Sequence, residues 1–258
     1  MNVQVLVSTI NPNPKELIEK MNIQTDAIIV CQCKKNGYEE ISKNNRIIKI
    51  FYFNEKGVGL SRNNCLQRSY ADIILFADDD EILVDNYEKI ILDGFNKYFK
   101  SDMLLFNLKD NGKLLYKPIN KKIRKYNSQK YGTVSIAVKR EKVFAHNIHF
   151  SLMFGPGAIY GSGEDSIFIY DCLNAKFKIH SVSDCIATLD DSESTWFKGY
   201  NEKYYFDKGA LFRKLHKSFA LFFCLIYLIR HRYEKTDLNF TLRLKIMYNG
   251  VADYKSRL

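Results

Sequence analysis

The pattern that most restricts the fold is an alternation of strand-like and helix-like segments over the first 108 residues. Segments 14–22, 57–70 and 86–100 have helical periodicity, and 86–100 is the clearest because its apolar residues recur at i, i+3, i+4 and i+7. Five apolar segments have the length and composition of buried strands: 3–9, 26–33, 46–53, 72–77 and 102–108. This alternation predicts βαβ units and a mostly parallel sheet with helices on both faces.

The rest of the chain is less regular. The 258 residues suffice for one large α/β domain with a full core and a small appendage. Residues 109–132 are basic and polar, which predicts a flexible excursion outside the core. Segments 133–140 and 177–183 predict further strands, and 153–175 predicts a Gly-rich loop that runs into a helix.

A formal charge of +10 favours an anionic partner: nucleic acid, an acidic lipid surface or phosphorylated small molecules. The first residues lack the basic segment and apolar run of a signal peptide, and no stretch approaches the ~20 apolar residues that span a bilayer. We therefore expect a cytoplasmic protein whose six cysteines are free thiols.

Four acidic residues, Asp78 to Glu81, directly follow the apolar segment 72–77. In open α/β sheets, ligands bind at the carboxyl ends of the strands. Adjacent like charges repel unless a positive charge lies among them. Asp78 and Asp80, two residues apart, can face one ligand, and carboxylate, water and phosphate oxygens are what Mg²⁺ or Mn²⁺ prefers. A solvated loop would explain one or two acids, but not four.

Two Gly-containing turns lead into predicted helices. The first is EKGVGLSRNN, residues 55–64, in which Gly57 and Gly59 permit close backbone approach. The helix N-terminus that follows offers N–H groups to an anion. Arg62 offers a planar guanidinium to a phosphate or a carboxylate. In GSGEDSIF, residues 161–168, the acids are either helix-capping groups or a general base at the mouth of a cleft.

Two downstream segments each allow two interpretations. Segment 194–214 contains the only Trp, four Lys and six other aromatic residues, which is typical of core packing or of a lid over phosphates and sugar. The apolar run 219–229 is flanked by basic residues. It is either a buried helix or an interfacial helix that lies on anionic headgroups.

Three of these segments, taken in order, resemble motifs of the family 2 glycosyltransferases of the GT-A fold, of the bacterial type that builds capsule, exopolysaccharide or O-antigen units. The family pattern is N-x-G-x-x-x-x-R-N, then F-L-D-x-D-D, then G-E-D. Here these appear as NEKGVGLSRN (54–63), FADDDE (76–81) and GED (163–165). The resemblance covers roughly residues 2–190 and weakens beyond.

The resemblance implies a domain organisation. A GT-A catalytic domain would occupy residues 1–190, with a Rossmann-like, mostly parallel sheet. Its nucleotide-sugar half would span about 1–108 and its acceptor half about 109–190. Residues 191–258 would form an aromatic and basic helical segment that acts as a lid or associates with a membrane.

The resemblance also implies roles for individual residues. Asp165 would be the catalytic base, and Glu164 would help to hold the acceptor. Asp80 would hold Mg²⁺ or Mn²⁺ against the diphosphate, and Asp78 would lie nearer the ribose and be a second ligand. Lys203, from the basic aromatic segment, is predicted to contact the donor. The other predicted donor-binding residues are Ser8, Asn11, Gln32, Gly59, Arg62, Asn63, Asp78 and Asp79. Arg62 and Asn63 would support the acidic loop as well as the nucleotide.

The chain departs from the family pattern in three places. The acid that usually follows the second strand to read uracil is missing, and Gln32 of CQCKKN would act there through its amide. The Q-x-x-R-W signature of processive synthases is missing, which favours one sugar addition per encounter. The downstream metal-ligand His of some relatives is not evident, and Asp190 or Asp191 would stand in for it.

The sequence therefore predicts an inverting, metal-dependent, non-processive glycosyltransferase. Its donor would be a nucleotide-sugar, a UDP-sugar by preference. Its acceptor would be a lipid-linked saccharide at the inner face of the plasma membrane, in cell-surface polysaccharide synthesis.

Two alternatives stay open. A nucleotidyltransferase on a similar sheet would also use paired acids and a metal, but it would not need the GED base. A basic nucleic-acid-binding module fits the charge and the aromatic residues, and it predicts salt-sensitive binding to oligonucleotides. It gives no reason for the clustered acids, which would repel phosphate, so we expect no nucleic-acid partner.

Overall fold

The computed structural model describes residues 1–189 and 199–257 of the chain. A single mixed sheet of eleven strands runs through the described part. The strands are β1 Val3–Thr9, β2 Asp26–Gln32, β3 Gly37–Lys43, β4 Arg46–Phe53, β5 Ile73–Asp78, β6 Glu81–Leu83, β7 Met103–Asp110, β8 Lys113–Leu114, β9 Lys121–Lys122, β10 Ile136–Lys139 and β11 Ile179–Leu189. The helices are α1 Leu17–Lys20, α2 Val58–Arg68, α3 Tyr87–Lys97, α4 Arg140–Ala145, α5 Glu164–Asn174, α6 Glu202–His216, α7 Ala220–Arg230 and α8 Phe240–Ser256.

The strand order is β3-β4-β2-β1-β5-β10-β7-β11-β6, with β8 beside β7 and β9 beside β11. The neighbours β4, β2, β1 and β5 pair in parallel, so their carboxyl ends lie at one edge of the sheet. Every residue of β1 is buried, as expected for a central strand covered on both faces. The order reverses direction around β1, and such a switch point is where open α/β sheets bind ligands.

Each face of the sheet is covered by helices that the apolar pattern predicts. On one face, α1 and α3 contribute Leu17, Met21 and Ile91 to a core built on alternate residues of β1. On the other face, α2 and α5 contribute Leu66 and Phe168 to a second core. The predicted α/β sheet flanked by helices is therefore confirmed, and the described sheet is mixed rather than mostly parallel, because β3, β6 and β10 pair antiparallel with their neighbours.

Three features differ from the sequence-based expectations. The strand expected at 133–140 begins only at Ile136, and it runs antiparallel between β5 and β7. The edge strand β3 is almost entirely exposed, so it lacks the apolar pattern that would have predicted it. The basic segment 109–132 contains short strands and places Ile123 and Tyr131 in the core, so it is not wholly an excursion.

Helices α6, α7 and α8 pack together at the end of the described chain. The backbones of α6 and α8 touch where two glycines face each other. A Cβ on Gly209 would lie 2.0 Å from the carbonyl oxygen of Met247, and one on Gly250 would lie 2.0 Å from that of Phe206. Only glycine fits at either position. No helix in the described ranges has the length and apolar character needed to cross a membrane.

Candidate active site

The candidate site begins at the carboxyl ends of β1 and β5, where Ser8 lies opposite Asp78 in the parallel register. Ser8 is buried, and its hydroxyl has no hydrogen-bond partner within the described residues. The next residue, Thr9, donates its hydroxyl hydrogen to the Asp79 carboxylate and accepts from the backbone N–H of Asn11 at 2.8 Å. These contacts tie the end of the first strand to the acidic turn.

The four acids 78–81 do not share one environment. Glu81 is buried, and its carboxylate accepts a hydrogen bond of 2.8 Å from the backbone N–H of Asp78. Burial, followed by the charge of Asp78, raises the pKa of Glu81 well above its ordinary value. Asp80 is partly exposed, and burial together with Asp78 and Asp79 raises its pKa to about 6. The acids therefore divide into one buried carboxylate, Glu81, and three that are partly exposed, Asp78, Asp79 and Asp80.

A positive charge does lie among these acids: it is the guanidinium of Arg62, from the second turn of α2. Its Nη2 donates to both carboxylate oxygens of Asp78, at 2.8 and 3.1 Å. Its Nη1 donates to Glu164 at 3.0 Å and to Asp165 at 3.1 Å. The Arg62 side chain is only 6% exposed. Arg62 thus joins the acidic turn to the GED segment.

The GED acids open helix α5, and they differ in exposure. The Glu164 side chain is 8% exposed, whereas the Asp165 side chain is 30% exposed. Burial, then the neighbouring Asp165, raises the pKa of Glu164 to about 8 despite the opposing effect of Arg62. The hydroxyl of Thr133 donates a hydrogen bond to Asp165. Asp165 is therefore the accessible and oriented carboxylate of the pair.

The turn that precedes α5 is shaped by glycine. Gly155 has a φ of +104°, and a Cβ there would lie 2.8 Å from Val58 and 2.9 Å from the Glu164 carboxylate. The neighbouring Pro156 accepts a hydrogen bond of 3.0 Å from the backbone N–H of Val58 at the start of α2. This close approach places the α2 N-terminus beside the GED acids.

Several predicted donor-binding residues make internal contacts. Gln32 accepts a hydrogen bond of 2.7 Å from the backbone N–H of Gly57, which fixes the turn before α2. A Cβ on Gly59 would lie 2.4 Å from the carbonyl oxygen of Ser151, so Gly59 allows close packing of protein backbone. The Asn63 amide exchanges two hydrogen bonds with the backbone of Phe150, at 2.8 and 2.9 Å.

The remaining predicted residues are dispersed. Asn11 lies at the end of β1, where its carbonyl accepts from the Cys31 thiol at 3.2 Å. Lys203 lies on α6, where its ammonium donates to the carbonyl oxygen of Ile159 at 2.9 Å and to the Asp207 carboxylate. The predicted contacts of these residues with a nucleotide-sugar stay predictions. Asp190, Asp191 and the only Trp lie outside the described residues.

Sequence reasoning missed two side chains of the site. Thr133 donates a hydrogen bond to Asp165, and the hydroxyl of the half-buried Tyr116 accepts a 3.1 Å hydrogen bond from the backbone N–H of Gly132, the residue before Thr133. Burial raises the pKa of Tyr116 to about 12, so it stays a neutral phenol. Both residues lie in or next to the basic segment 109–132, where no periodicity indicated that the chain returns to the site.

The donor set for a metal ion is limited. Within the described ranges, no three His, Cys, Asp or Glu side chains are grouped so as to hold a metal ion. Asp78 gives both carboxylate oxygens to Arg62. Asp80 is a partly exposed carboxylate at the rim. One protein carboxylate, completed by water and phosphate oxygens, is a common way to bind Mg²⁺. The residues therefore fit an ion that would take one ligand from the protein and the others from water and a diphosphate, rather than a metal site built from protein alone.

A surface cavity of about 320 Å³ lies elsewhere, between the start of α6 and the 235–238 turn. It is lined by none of the acids around Arg62. Its lining, residues 199–202 and 235–238, includes none of the predicted site residues.

Comparisons with known proteins identify the fold. No protein-family model matches the chain, and no curated protein matches it. Solved structures of S. aureus TarS do match. The structure of TarS 1–349 in complex with UDP-GlcNAc has a TM-score of 0.67 at 17% identity, over 98% of this chain and 80% of that one.

Two further TarS structures agree. TarS 1–349 in complex with UDP has a TM-score of 0.58 at 17% identity, over 100% of this chain and 71% of that one. Another structure of TarS has a TM-score of 0.64 at 16% identity, and this chain spans 49% of its length. The chain has the GT-A fold. At these identities the similarity establishes the fold, and activity has to be argued from the site.

Proposed function

We propose that this chain is an inverting glycosyltransferase that uses a nucleotide-sugar donor. The observation that carries the proposal is the meeting of two acidic motifs at one arginine. Asp78 ends strand β5, and Glu164 and Asp165 begin helix α5, yet all three carboxylates hydrogen-bond to Arg62. One guanidinium therefore holds an acid of the proposed donor side, Asp78, and an acid of the proposed acceptor side, Asp165, in a single site of a GT-A fold.

Asp165 is the proposed base. It is the more exposed of the two GED acids, and Arg62 and Thr133 fix its orientation. It takes the proton from an acceptor hydroxyl as the oxygen attacks the anomeric carbon. The attack comes from the face opposite the nucleoside diphosphate, which leaves with the electron pair of the broken bond. Positioning and general base catalysis together account for the proposed contribution of Asp165.

Glu164 and Asp78 act through Arg62. Both are held by its guanidinium, and Glu164 is too deeply buried to present much surface to an acceptor. A role for Glu164 in holding the acceptor is therefore indirect. The two acids keep Arg62 in place, and Arg62 in turn keeps Asp165 aimed at the rim.

Asp80 is the proposed protein ligand of Mg²⁺ or Mn²⁺. Its pKa of about 6 leaves it ionised at neutral pH, beside two other acids whose repulsion a cation would relieve. When bound there, such a cation neutralises the charge that develops on the departing diphosphate. Asp78 is already paired with Arg62 through both of its carboxylate oxygens.

The proposed donor is a UDP-sugar. The matched TarS structures are complexes with UDP-GlcNAc and with UDP, and the proposed donor site here lies at the carboxyl ends of β1 and β5. The motif order also fits this donor. We propose that one sugar is added per encounter. We also propose that Gln32 lies near the uracil ring of the donor.

The proposed acceptor is a saccharide on a lipid carrier, in the synthesis of a cell-surface polysaccharide. Helix α7 supports this part of the proposal. One stripe of it packs inward through Ala220, Cys224 and Leu228. Its other side leaves apolar side chains between 39% and 70% exposed: Phe219, Leu221, Phe222, Leu225 and Ile229. Exposed Lys217, Arg230 and Arg232 flank them, and no acid occurs between Asp207 and Glu234.

An apolar helix face flanked by cations fits a peripheral position on the anionic inner leaflet. Flotation of the purified chain with vesicles of anionic and of zwitterionic lipid tests this. We expect binding to the anionic vesicles, and weaker binding after Phe222→Ser. The control is Phe99→Ser, since Phe99 is 68% exposed and lies just beyond α3. No binding by the intact chain would contradict the membrane proposal.

A donor screen tests the enzymatic proposal. The chain is incubated with UDP-, GDP-, dTDP- and CMP-sugars, with Mn²⁺ or Mg²⁺ or with EDTA, and release of the nucleotide is measured. We expect release from at least one UDP-sugar, and loss of release with EDTA. Pyrophosphate release from a nucleoside triphosphate with a sugar phosphate would instead show a nucleotidyltransferase.

A further inference from the structure

The loop that leads into the GED acids is bound by residues of helices α6 and α8. These contacts are made at residues 159–163, before the acids themselves. Residues 153–160 close on themselves, because the backbone N–H of Gly155 donates to Tyr160 at 2.8 Å and that of Tyr160 donates to Met153 at 3.0 Å. Residues 161–163 then join this turn to α5. Their position determines where Glu164 and Asp165 begin.

Helix α6 holds this joining segment through a buried carboxylate. Asp207 is 4% exposed, and it accepts a hydrogen bond of 2.9 Å from the backbone N–H of Gly161. Its other oxygen pairs with Lys203, one turn earlier on α6, and that ammonium also donates to the carbonyl oxygen of Ile159 at 2.9 Å. Two residues of α6 therefore hold the backbone at 159 and 161.

Packing supports the same attachment. Leu211, one turn further along α6, fills the space beside Gly163, where a Cβ would lie 2.9 Å from the leucine side chain. From α8, Asp253 accepts a 2.7 Å hydrogen bond from the Tyr160 hydroxyl. Burying a carboxylate costs several kcal/mol unless it is paired and hydrogen-bonded, so the charge at Asp207 is held by a specific arrangement.

We propose that Asp207 is a positioning residue for the reaction: it fixes the 159–163 backbone and through it the placement of Asp165. This inference rests on the proposed function for its kinetic consequence, but its structural consequence stands independently. Asp207 contacts neither Arg62 nor any of the acids that Arg62 binds. Its partner Lys203 bonds the same loop, so within this inference Lys203 positions the loop rather than the donor. Removal of Asp207 should therefore leave UDP binding unchanged and displace the acceptor-side base. A displacement of about 1 Å at a reacting group can lower the rate on the order of 100-fold.

The test compares Asp207→Ala and Asp207→Asn with wild type. Asn keeps a carbonyl oxygen for the Gly161 N–H but loses the charge that pairs with Lys203. We expect UDP affinity within about twofold of wild type in both variants. We expect kcat to fall by roughly 10-fold to 100-fold in the alanine variant and less in the asparagine variant. Glu202→Gln, an exposed acid of the first turn of α6, is the matched control and should leave kcat unchanged.

Two readouts separate positioning from general destabilisation. Active sites are counted by UDP binding, so that kcat refers to folded protein, and hydrogen exchange is followed in two peptides. Asp207→Ala should speed exchange over residues 155–163 and leave residues 73–83 unchanged. Unchanged exchange at 155–163, or a normal kcat per UDP site in the alanine variant, would overturn the inference. If wild type transfers no sugar, the proposed function fails, and the exchange measurement alone decides whether Asp207 holds the loop.

Discussion

Replacing Arg62 by lysine tests the network that joins the two halves of the site. The guanidinium makes four hydrogen bonds of 2.8 to 3.1 Å to three carboxylates. Arginine has two terminal nitrogens that point to different acids, whereas lysine has one. A lysine at position 62 can therefore keep the hydrogen bonds to Asp78 or those to the GED pair, but not both. Each charge-assisted hydrogen bond contributes about 1.5–3 kcal/mol. Losing two of them, offset in part by the retained charge, should destabilise the protein by about 3 kcal/mol.

The assay is denaturant unfolding of wild type, Arg62→Lys and Arg68→Lys, with UDP binding measured in parallel. Arg68 lies on the same helix, but it bonds only to Asn64 of its own helix and stacks 4.8 Å from the rings of Phe51 and Phe53. The same substitution there should cost about 1 kcal/mol or less. Equal effects at the two positions would refute the reasoning, because they would show that the three carboxylates do not depend on a forked cation.

The pH dependence of an Arg62→Met variant extends this test. Arg62 opposes the rise in the Glu164 pKa, which burial and Asp165 bring to about 8. Without Arg62 the folded-state pKa of Glu164 rises further. A carboxyl group whose pKa is higher in the folded state than in the unfolded state stabilises the fold at low pH, and this stabilisation is lost as the pH rises through the folded-state pKa. The stability gap between wild type and Arg62→Met should therefore widen from pH 6 to pH 9, and a gap that narrows over this range would contradict the account.

Two further predictions concern the metal-facing acid and the turn before α5. A rise in the Asp80 pKa from 3.8 to about 6 corresponds to at most about 3 kcal/mol, and solvent screening of this partly exposed group reduces it to about 1 kcal/mol. Asp80→Asn should thus raise the unfolding temperature of the metal-free protein at pH 7.5, and it should give no such gain below pH 4. It should also abolish metal-dependent UDP binding. If UDP binding measured by calorimetry kept its dependence on metal in this variant, the role of Asp80 would be contradicted. Gly155→Ala should destabilise the protein by about 2–4 kcal/mol and lower turnover, since the new methyl group would meet Val58 and Glu164. Gly112→Ala is its control, because Gly112 also has a positive φ, of +74°, but no atom of the described residues lies within 4 Å of a Cβ there.

The parallel half of the fold could be predicted because its strands are buried on both faces. Segments such as 3–9 and 72–77 are then continuous apolar runs, and β1 and β5 lie within a residue of the predicted positions. The edge strand β3 could not be predicted, because its side chains face solvent and carry no apolar period. The antiparallel insertion of β10 between β5 and β7 depends on tertiary pairing that a single segment does not encode.

The residues of the site could be predicted from the sequence, but the hydrogen bonds between them could not. The acids of 78–81 and of 163–165 stand out in the sequence, and so does Arg62. The sequence-based prediction is that Arg62 supports the nucleotide and the acidic loop, and that a divalent metal is the positive charge among the acids of 78–81. The structure shows Arg62 itself in contact with Asp78. Thr133 bonds to Asp165, and Asp207 bonds to the Gly161 backbone and to Lys203; no sequence motif indicates these contacts, so only the folded chain reveals them.

The central claim is that Asp165 is the base of a glycosyl transfer, and one comparison tests it most directly. UDP binding and sugar transfer are measured side by side for wild type and Asp165→Asn, with the donor found in the screen. The amide keeps the shape and an oxygen for Arg62 and Thr133 but cannot take a proton, so UDP affinity should stay within a few-fold while transfer falls by roughly 100-fold or more. Normal transfer by Asp165→Asn would contradict the account.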